Sequence, residues 1–198
     1  MYEYRKLTPA ERRQVVEERL SRGFPPHRPP HLKVNDACYL LTAACYEHRH
    51  HMQTAARRQW ILDQLFEQFI LRGMIVYAWV VLTNHYHFLV QITEFDALHE
   101  IFRLVHGRSS FEWNNEENTR GRKVWFRYSD RLIRSQRHYN TTLNYIHYNP
   151  VKHGLVTAPY DWQWSSIHWY LAAYGREWLR DLWQRFPVRE YGQKWDDV

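Results

Sequence analysis

Two histidines stand one residue apart inside the otherwise apolar run of residues 79–90. Because successive side chains of a β-strand alternate between its faces, His85 and His87 project to the same side, with Cα atoms ~6.5–7 Å apart. Tyr86 and Phe88 then point to the other side, into a core. Two imidazoles at this spacing can bind one divalent metal ion, but ordinary histidines on the wet face of an antiparallel sheet would give the same pattern. The pattern therefore predicts either a metal site or a solvated sheet face.

The composition favours a nucleic acid as partner. The 198 residues suit one domain with extensions. Lysine and arginine outnumber aspartate and glutamate by 27 to 21, a formal charge of +6, and ten tryptophans and fourteen tyrosines add flat rings. A basic, aromatic-rich surface suits a polyanion that carries stackable bases, although many of these rings must belong to the core.

Cysteine content and hydropathy indicate a cytoplasmic protein. Cys38 and Cys45 are seven residues apart on one predicted strand, so they form neither a zinc-type pair nor a disulfide framework. No apolar run reaches the ~18 residues of a membrane span, and residues 1–5 lack the apolar region of a signal peptide. We therefore expect a location in the cytoplasm and no membrane partner.

Hydrophobic periodicity along the chain predicts the order β-α-β-β-α-β, followed by a third helix. The strands are expected at 37–45, 74–82, 85–92 and 124–133, and the helices at 54–71, 95–113 and 135–149, the last closed by Pro150. This order is typical of the α+β ferredoxin-like fold, a split βαβ arrangement in which helices cover one face of an antiparallel sheet.

Both ends of the chain are predicted to extend beyond this core. Thr8 as N-cap, with Glu11 three residues later, is typical of a helix start, and the helix should run from Pro9 to Arg22. We expect a basic arm with a proline-rich linker at 1–31, the main domain at 32–174 and a tryptophan-rich C-terminal extension at 175–198.

The predicted third helix carries chemically active side chains of its own. Tyr145 and Asn149 are four residues apart and therefore lie on one helix face. A tyrosine hydroxyl, whose pKa is ordinarily ~10, is a poor nucleophile until a metal ion or a base lies beside it. A two-histidine metal site needs a further ligand, commonly an oxygen, which the amide of Asn149 could supply.

Three separated motifs together resemble one protein family. Asn84-His85-Tyr86-His87 resembles the histidine–hydrophobic–histidine motif of single-tyrosine HUH endonucleases. Residues 145–156 resemble the tyrosine helix of REP-associated tyrosine transposases, and residues 159–166 are similar to the segment that follows it. The resemblance runs from about Tyr39 to Tyr170. Departures at Thr83, Tyr86 and Phe126, where the family more often has Pro, an aliphatic residue and Gln, remove no group that the reaction needs.

The resemblance implies a transposase that cleaves single-stranded DNA at hairpin-forming repeats. His85 and His87 would bind Mg²⁺ or Mn²⁺, with Asn149 where related enzymes place a third metal ligand. Tyr145 would attack a DNA phosphate, giving a 5′-phosphotyrosyl enzyme and a free 3′-hydroxyl. Residues 32–174 would be the HUH catalytic domain, and the arm would grip the hairpin stem or a second subunit, in a monomer or a homodimer.

Basic side chains near this site are candidates for phosphate contacts, although each taken alone is more often part of a solvated surface. The principal DNA-binding candidates are Arg103, Arg108, Arg127, Arg131 and Lys152, and the same reasoning extends to Arg120, Arg122, Lys123 and Arg134. We expect surface or DNA-contacting rings, rather than metal ligands, at His106, His138, His147 and His153.

Two other classes of function stay open at this point. One is a domesticated relative that binds hairpin DNA without mobility, against which the presence of His85, His87 and Tyr145 argues. The other is a metal-dependent hydrolase of small phosphoesters, which the lack of a carboxylate cluster disfavours.

Overall fold

The computed structural model of the protein describes residues 7–21 and 33–192. Residues 7–21 contain helix α1 (Pro9–Ser21). Its start is the predicted capping box: the backbone N–H of Thr8 donates to Oε2 of Glu11 at 2.6 Å, and that of Glu11 donates to Oγ1 of Thr8 at 3.3 Å. The rest of the predicted arm and its proline-rich linker lie outside the described residues.

Residues 33–192 form one compact unit around a four-stranded antiparallel sheet. The strands are β1 (Ala37–Ala44), β2 (Ile75–Val81), β3 (His85–Ile92) and β4 (Ser129–Leu132), in the spatial order β2-β3-β1-β4. Helix α2 (Ala55–Ile70) connects β1 to β2, and α3 (Ala97–Glu116) connects β3 to β4. The predicted α+β fold with split βαβ order is confirmed.

Strand β3 lies between β1 and β2, and its side chains on both faces of the sheet are buried, apart from the half-buried Gln91. On one face Tyr86 and Phe88 belong to the main hydrophobic core, together with Ile61 and Leu65 of α2 and Ile101 of α3. The two crossover helices therefore pack on this face, because their apolar stripes need the same apolar side chains for burial.

Helix α4 (Gln136–Lys152) contacts β2 and β3 from the opposite face of the sheet. The prediction that this helix ends before Pro150 was wrong, since Pro150 lies in its last turn. A proline there removes a single backbone donor, and the turn is still closed by bonds from the N–H of His153 to the carbonyl of Asn149 and from Leu155 to Pro150, at 3.1 and 3.0 Å.

Strand β4 is shorter than the predicted 124–133. Only Ser129–Leu132 pairs with β1, while Trp125 makes an isolated bridge to Cys45. Trp125 stacks on His106 with ring centroids 4.3 Å apart, and Tyr128 packs on Phe102 of the same helix at 4.2 Å. Side chains three residues apart cannot share one face of a regular strand, so the backbone leaves the sheet between them.

The tryptophan-rich C-terminal part forms helix α5 (Ile167–Arg185), which is kinked at Gly175, where φ is +82°. Ser165 makes a bridge to Val80, and the indole N–H of Trp162 donates to the carbonyl of Val81 at 3.0 Å, which attaches the segment before α5 to the edge strand β2. The predicted domain boundaries at 31 and 174 stay predictions; residues 175–192 are part of the compact unit. Within the described ranges, no helix has both the length and the apolar content of a membrane span.

Candidate active site

The sheet face opposite α2 and α3 brings the predicted site residues together. Nε2 of His85 on β3 lies 3.1 Å from Oδ1 of Asn149 on α4, and Nε2 of His87 lies 3.4 Å from Oη of Tyr145. All four side chains are at most 2% exposed. The alternative that the histidines lie on a solvated sheet face is therefore wrong, because α4 covers that face.

Local sequence explains this convergence. The two histidines alternate with core residues along the central strand β3, and the turn before it is closed by the N–H of Leu82, which donates to the carbonyl of His85 at 2.8 Å. Tyr145 and Asn149 are one helical turn apart, so both point from α4 towards the same strand. The helix begins at Ser135, whose hydroxyl accepts the N–H of His138 at 3.1 Å.

Each histidine is oriented through its second ring nitrogen. Nδ1 of His85 lies 2.7 Å from Oδ1 of Asn84, and Nδ1 of His87 lies 2.7 Å from Oγ1 of Thr42 on the neighbouring strand. The Asn84 amide also donates from Nδ2 to the carbonyl of His48 at 3.2 Å. Oδ1 of Asn84 can accept a hydrogen bond from Nδ1 of His85, and the tautomer with its proton there leaves the lone pair on Nε2, as in metal-binding histidines.

The donor set fits a divalent cation. In the tautomer with its proton on Nδ1, Nε2 of His85 turns a lone pair towards Oδ1 of Asn149 at 3.1 Å, whereas in the other tautomer Nε2 donates to this oxygen. Nδ2 of Asn149 is buried and has no hydrogen-bond partner in the described part of the chain. Two acceptors facing each other in a dry site repel unless a positive charge lies between them. Nitrogen and amide-oxygen ligands suit Mn²⁺ and, with more water, Mg²⁺.

Within the described residues, neither a carboxylate nor the nearby imidazole of His153 completes a metal-binding group with His85 and His87. Among residues 7–21 and 33–192, no group of three or more His, Cys, Asp and Glu side chains is arranged to hold a metal ion. His85, His87 and Asn149 could therefore supply three ligands, and the remaining positions would be left for water or substrate oxygens. An open coordination sphere of this kind suits catalysis better than a purely structural role.

The nucleophile candidate Tyr145 is covered by a segment that sequence reasoning missed. The ring of Tyr191 packs edge-on against Tyr145 with centroids 5.5 Å apart, and its hydroxyl bonds to Thr142 and to Nε2 of His138. Gly192, at φ +77°, lies so close that a Cβ there would overlap Cε2 of Tyr145. Burial raises the pKa of Tyr191, so its hydroxyl stays protonated at neutral pH.

The five principal basic candidates occupy different parts of the molecule. Lys152 lies at the site: its ammonium is 5.4 Å from the Tyr145 ring centroid and donates to the carbonyl of Gly192 at 3.0 Å. Arg131 on β4 stands opposite Leu40, on the sheet face of His87. The structure does not bring the other three to the site. Arg103 and Arg108 lie on α3 across the sheet, in ion pairs with Glu100 and Glu112, and Arg127 is exposed before β4.

The remaining histidines differ from expectation at two positions. His106 stacks on the core ring of Trp125 at 4.3 Å, and its Nε2 lies 2.7 Å from the Tyr86 hydroxyl, so it packs on the sheet face opposite the candidate site. His147 is fully buried, so the prediction that it lies at the surface or on DNA was wrong. Its Nε2 lies 2.8 Å from Oγ of Ser166, and burial lowers its pKa to about 3, so it is a neutral packing residue. His153 packs against His85 with ring centroids 4.8 Å apart, next to the candidate metal site.

Two curated proteins with significant sequence similarity to this chain bear the same family name. No protein-family model matches the chain. Over 99 residues it is 34% identical to a Haemophilus influenzae protein that carries the provisional name REP-associated tyrosine transposase, a match covering 44% of this chain and 56% of the relative. Over 121 residues it is 30% identical to the REP-associated tyrosine transposase of Escherichia coli K12, covering 56% of this chain and 66% of the relative. The chain thus spans somewhat more than half of each relative's length.

A solved structure shares the fold. It is a REP-associated tyrosine transposase bound to a REP hairpin, and it superposes with a TM-score of 0.60 at 22% identity, covering 74% of this chain and 86% of that chain. At this identity the likeness concerns the fold alone. The two sequence relatives bear the same name, so this chain is similar in sequence and in fold to REP-associated tyrosine transposases.

Proposed function

We propose that this chain is a metal-dependent single-stranded DNA endonuclease and strand transferase that cuts at hairpin-forming repeats, with Tyr145 as nucleophile. The observation that carries the proposal is the buried cluster of four side chains: the Tyr145 hydroxyl lies 3.4 Å from Nε2 of His87, and Nε2 of His85 lies 3.1 Å from Oδ1 of Asn149. The names of the two sequence relatives support the same function, and the hairpin in the solved structure supports the choice of substrate.

In the proposed reaction the phenolic oxygen of Tyr145 attacks a backbone phosphorus of the bound strand. The bond between that phosphorus and the 3′ oxygen breaks, so the downstream fragment stays attached to Tyr145 through its 5′ phosphate. The phenol proton is lost to water and the departing 3′ oxygen takes one up, which balances the step. Reversal by another 3′-hydroxyl joins strands with no external energy source, because the phosphodiester count is conserved.

The surrounding residues orient the reacting groups. His85, His87 and Asn149 would hold the cation, which when bound polarises a non-bridging phosphate oxygen. Thr42 and Asn84 hold the two imidazoles with Nε2 towards the reacting phosphate. Lys152, 5.4 Å from the Tyr145 ring, places a positive charge where the phosphate must lie.

One observation favours a second candidate, a hairpin-binding protein that does not cut. Tyr145 is fully buried, and Tyr191 and Gly192 cover its ring, so a phosphate cannot reach the hydroxyl in this conformation. Cleavage requires this segment to move away, whereas binding elsewhere on the surface does not.

A cleavage assay with hairpin DNA labelled at either end separates these functions. The DNA is incubated with Mn²⁺, Mg²⁺ or EDTA and then run on a denaturing protein gel. We expect the 3′-end label, and not the 5′-end label, to travel with the protein when a metal ion is present, and Tyr145→Phe to abolish this adduct. Tight hairpin binding by a wild-type protein that forms no adduct with any metal would favour the binding-only candidate.

A further inference from the structure

A cavity lies at the N-terminus of helix α2, and Tyr145 is not among the residues that line it. Its volume is about 600 Å³. The loop before α2, the first turn of this helix and the loop after α3 supply its walls, including Arg49, His51, Arg57, Arg122 and the carboxylates of Glu116 and Glu117. A cavity of this size can hold a phosphate with part of its nucleoside.

The helix terminus itself favours an anion. Helix α2 has sixteen residues, and the side chain of Thr54 accepts only the N–H of Arg57, at 3.3 Å. The N–H groups of the first helical turn have no acceptor within the helix, and Ala56 of this turn lines the cavity. The aligned peptide dipoles place about half a positive charge at this point.

A buried side chain without a partner gives an independent indication. His51 is 7% exposed and borders the cavity, yet its Nε2 has no hydrogen-bond partner in the described part of the chain. Nη2 of Arg122 is likewise buried and unpaired within the described residues. A buried polar atom without a hydrogen bond is unfavourable, so an unsatisfied guanidinium donor and an unsatisfied imidazole nitrogen beside one cavity indicate a polar ligand such as phosphate.

The charges around the cavity leave one accessible arginine. Glu116 and Glu117 are both paired with Arg57, at 2.7 and 2.6 Å, and Glu117 is also paired with Arg122. Arg49 pairs with Glu47 at 3.1 Å, and both side chains are about half exposed. An exposed pair contributes little free energy, so the Arg49 guanidinium can exchange this carboxylate for an anion in the cavity.

Hydrogen bonds connect the cavity loop to the candidate active site. Nδ1 of His50 lies 2.7 Å from Oγ1 of Thr83, and the Asn84 amide joins the carbonyl of His48 to Nδ1 of His85. The cavity wall is therefore attached to the turn that starts strand β3. A DNA strand whose scissile phosphate lies at His85 would pass this loop.

We propose that the cavity at the N-terminus of α2 binds a backbone phosphate of the same DNA strand that Tyr145 cuts. The first turn of α2, His51 and Arg122 would supply the hydrogen bonds, and Arg49 would supply the charge. The assignment of this phosphate to DNA rests on the proposed function, whereas phosphate binding by the cavity is independent of it. The contact would set the register of the strand on the protein, since phosphate contacts position a nucleic acid without reading its sequence.

The test combines a simple anion with DNA. Inorganic phosphate is titrated into the full-length protein while the amide of Ala56 and the His51 ring are followed by NMR. We expect saturable shifts at both positions, weakened at least about threefold in Arg49→Gln and His51→Gln. Arg180→Gln, which removes another exposed arginine paired with a glutamate, should behave as the wild type. Thermal unfolding of each variant shows whether it is folded.

The DNA measurement uses the same variants. We expect Arg49→Gln to reduce the magnitude of the slope of log Kobs against log salt by about 0.7–1, which corresponds to the loss of one phosphate contact. No shift at Ala56 and His51 with phosphate, or equal salt slopes in Arg49→Gln and Arg180→Gln, would overturn the inference even if cleavage is confirmed. If the cavity binds phosphate but the protein cuts no DNA, the phosphate site would be supported and the proposed function would be rejected.

Discussion

The phenolic oxygen of Tyr145 lies 3.4 Å from Nε2 of His87, across the contact between helix α4 and strand β3. The two rings meet nearly edge to face, with centroids 5.1 Å apart. Because the residues come from separate elements, their distance is set by how α4 packs on the sheet. The second pair, His85 and Asn149, lies one helical turn further along the same contact.

Replacing Tyr145 with Phe should abolish the covalent adduct while the protein stays folded. Only one hydroxyl is lost, and its bond to His87 is long, so the free energy of unfolding should fall by less than about 1.5 kcal/mol. Hairpin binding should persist, as measured by fluorescence anisotropy, and the adduct should be missing on a denaturing gel. Tyr148→Phe, which alters an exposed tyrosine one turn away, is the control and should form the adduct normally. An adduct in Tyr145→Phe would move the nucleophile to Tyr148 or Tyr139.

Replacing either histidine should remove metal binding without removing DNA binding. We expect His85→Ala and His87→Ala each to show no measurable Mn²⁺ binding by calorimetry and no cleavage. Salt-sensitive hairpin binding should change little, because it arises from phosphate contacts spread over many basic residues. Thr42→Val, which removes only the bond to Nδ1 of His87, should weaken Mn²⁺ binding by about 10–100-fold. Wild-type Mn²⁺ affinity in both alanine variants would reject the ligand assignment.

The elements that form the site were predictable because each has a local pattern. Alternation in β3 places both histidines on one face, and helical spacing in α4 places Tyr145 and Asn149 on one face. Local patterns do not state which elements meet, and the expectation that Tyr145 lies beside the two histidines came from the resemblance to a protein family. The limits of α4 and β4 were misjudged because tertiary packing decided them: Pro150 is accommodated in a last helical turn, and Trp125 and Tyr128 both turn into the core.

No local sequence pattern predicted the segment that covers Tyr145 or the cavity at the N-terminus of α2. Tyr191 and Gly192 lie more than forty residues after Tyr145 in sequence, in a segment without hydrophobic periodicity. His51 lies in a histidine-rich stretch whose composition is typical of a solvated loop. Its burial results from residues that are distant in sequence and adjacent in space. Contacts between distant, irregular segments leave no period in the sequence, so only the three-dimensional structure reveals them.

A methyl group at Gly192 should expose Tyr145. Its Cβ would overlap the Tyr145 ring, and φ of +77° costs an L-residue about 1–2 kcal/mol, so Gly192→Ala should shift the segment away. The fraction of molecules in which residues 191–192 have moved away from Tyr145 should rise roughly 5–30-fold, and the initial rate of adduct formation should rise with it. Gly73→Ala also places alanine at a positive φ but meets no atom within 4 Å, so it should leave the rate unchanged. An unchanged or slower rate in Gly192→Ala would show that the cover does not limit access to Tyr145.

Burial of His147 should make the fold sensitive to mild acid. Burial lowers the pKa of His147 to about 3, whereas in the unfolded chain the value is about 6.5. Between these values the unfolded state binds the extra proton, so the contribution of His147 is present at neutral pH and is lost as the pH falls through 6.5 towards 3. From pH 7 to pH 5 this loss is about 2 kcal/mol.

Urea unfolding of His147→Gln at both pH values tests this contribution. The glutamine amide can still bond to Ser166, so the variant should fold, and its loss of stability on acidification should be smaller than that of the wild type by about 2 kcal/mol. His99→Gln alters an exposed histidine and should retain the wild-type difference. His106, whose pKa burial also lowers to about 3, contributes in the same direction, so His147→Gln should keep part of the pH dependence. Identical losses in His147→Gln and the wild type would mean that His147 is already protonated in the folded protein near pH 5, which would contradict the lowering of its pKa by burial.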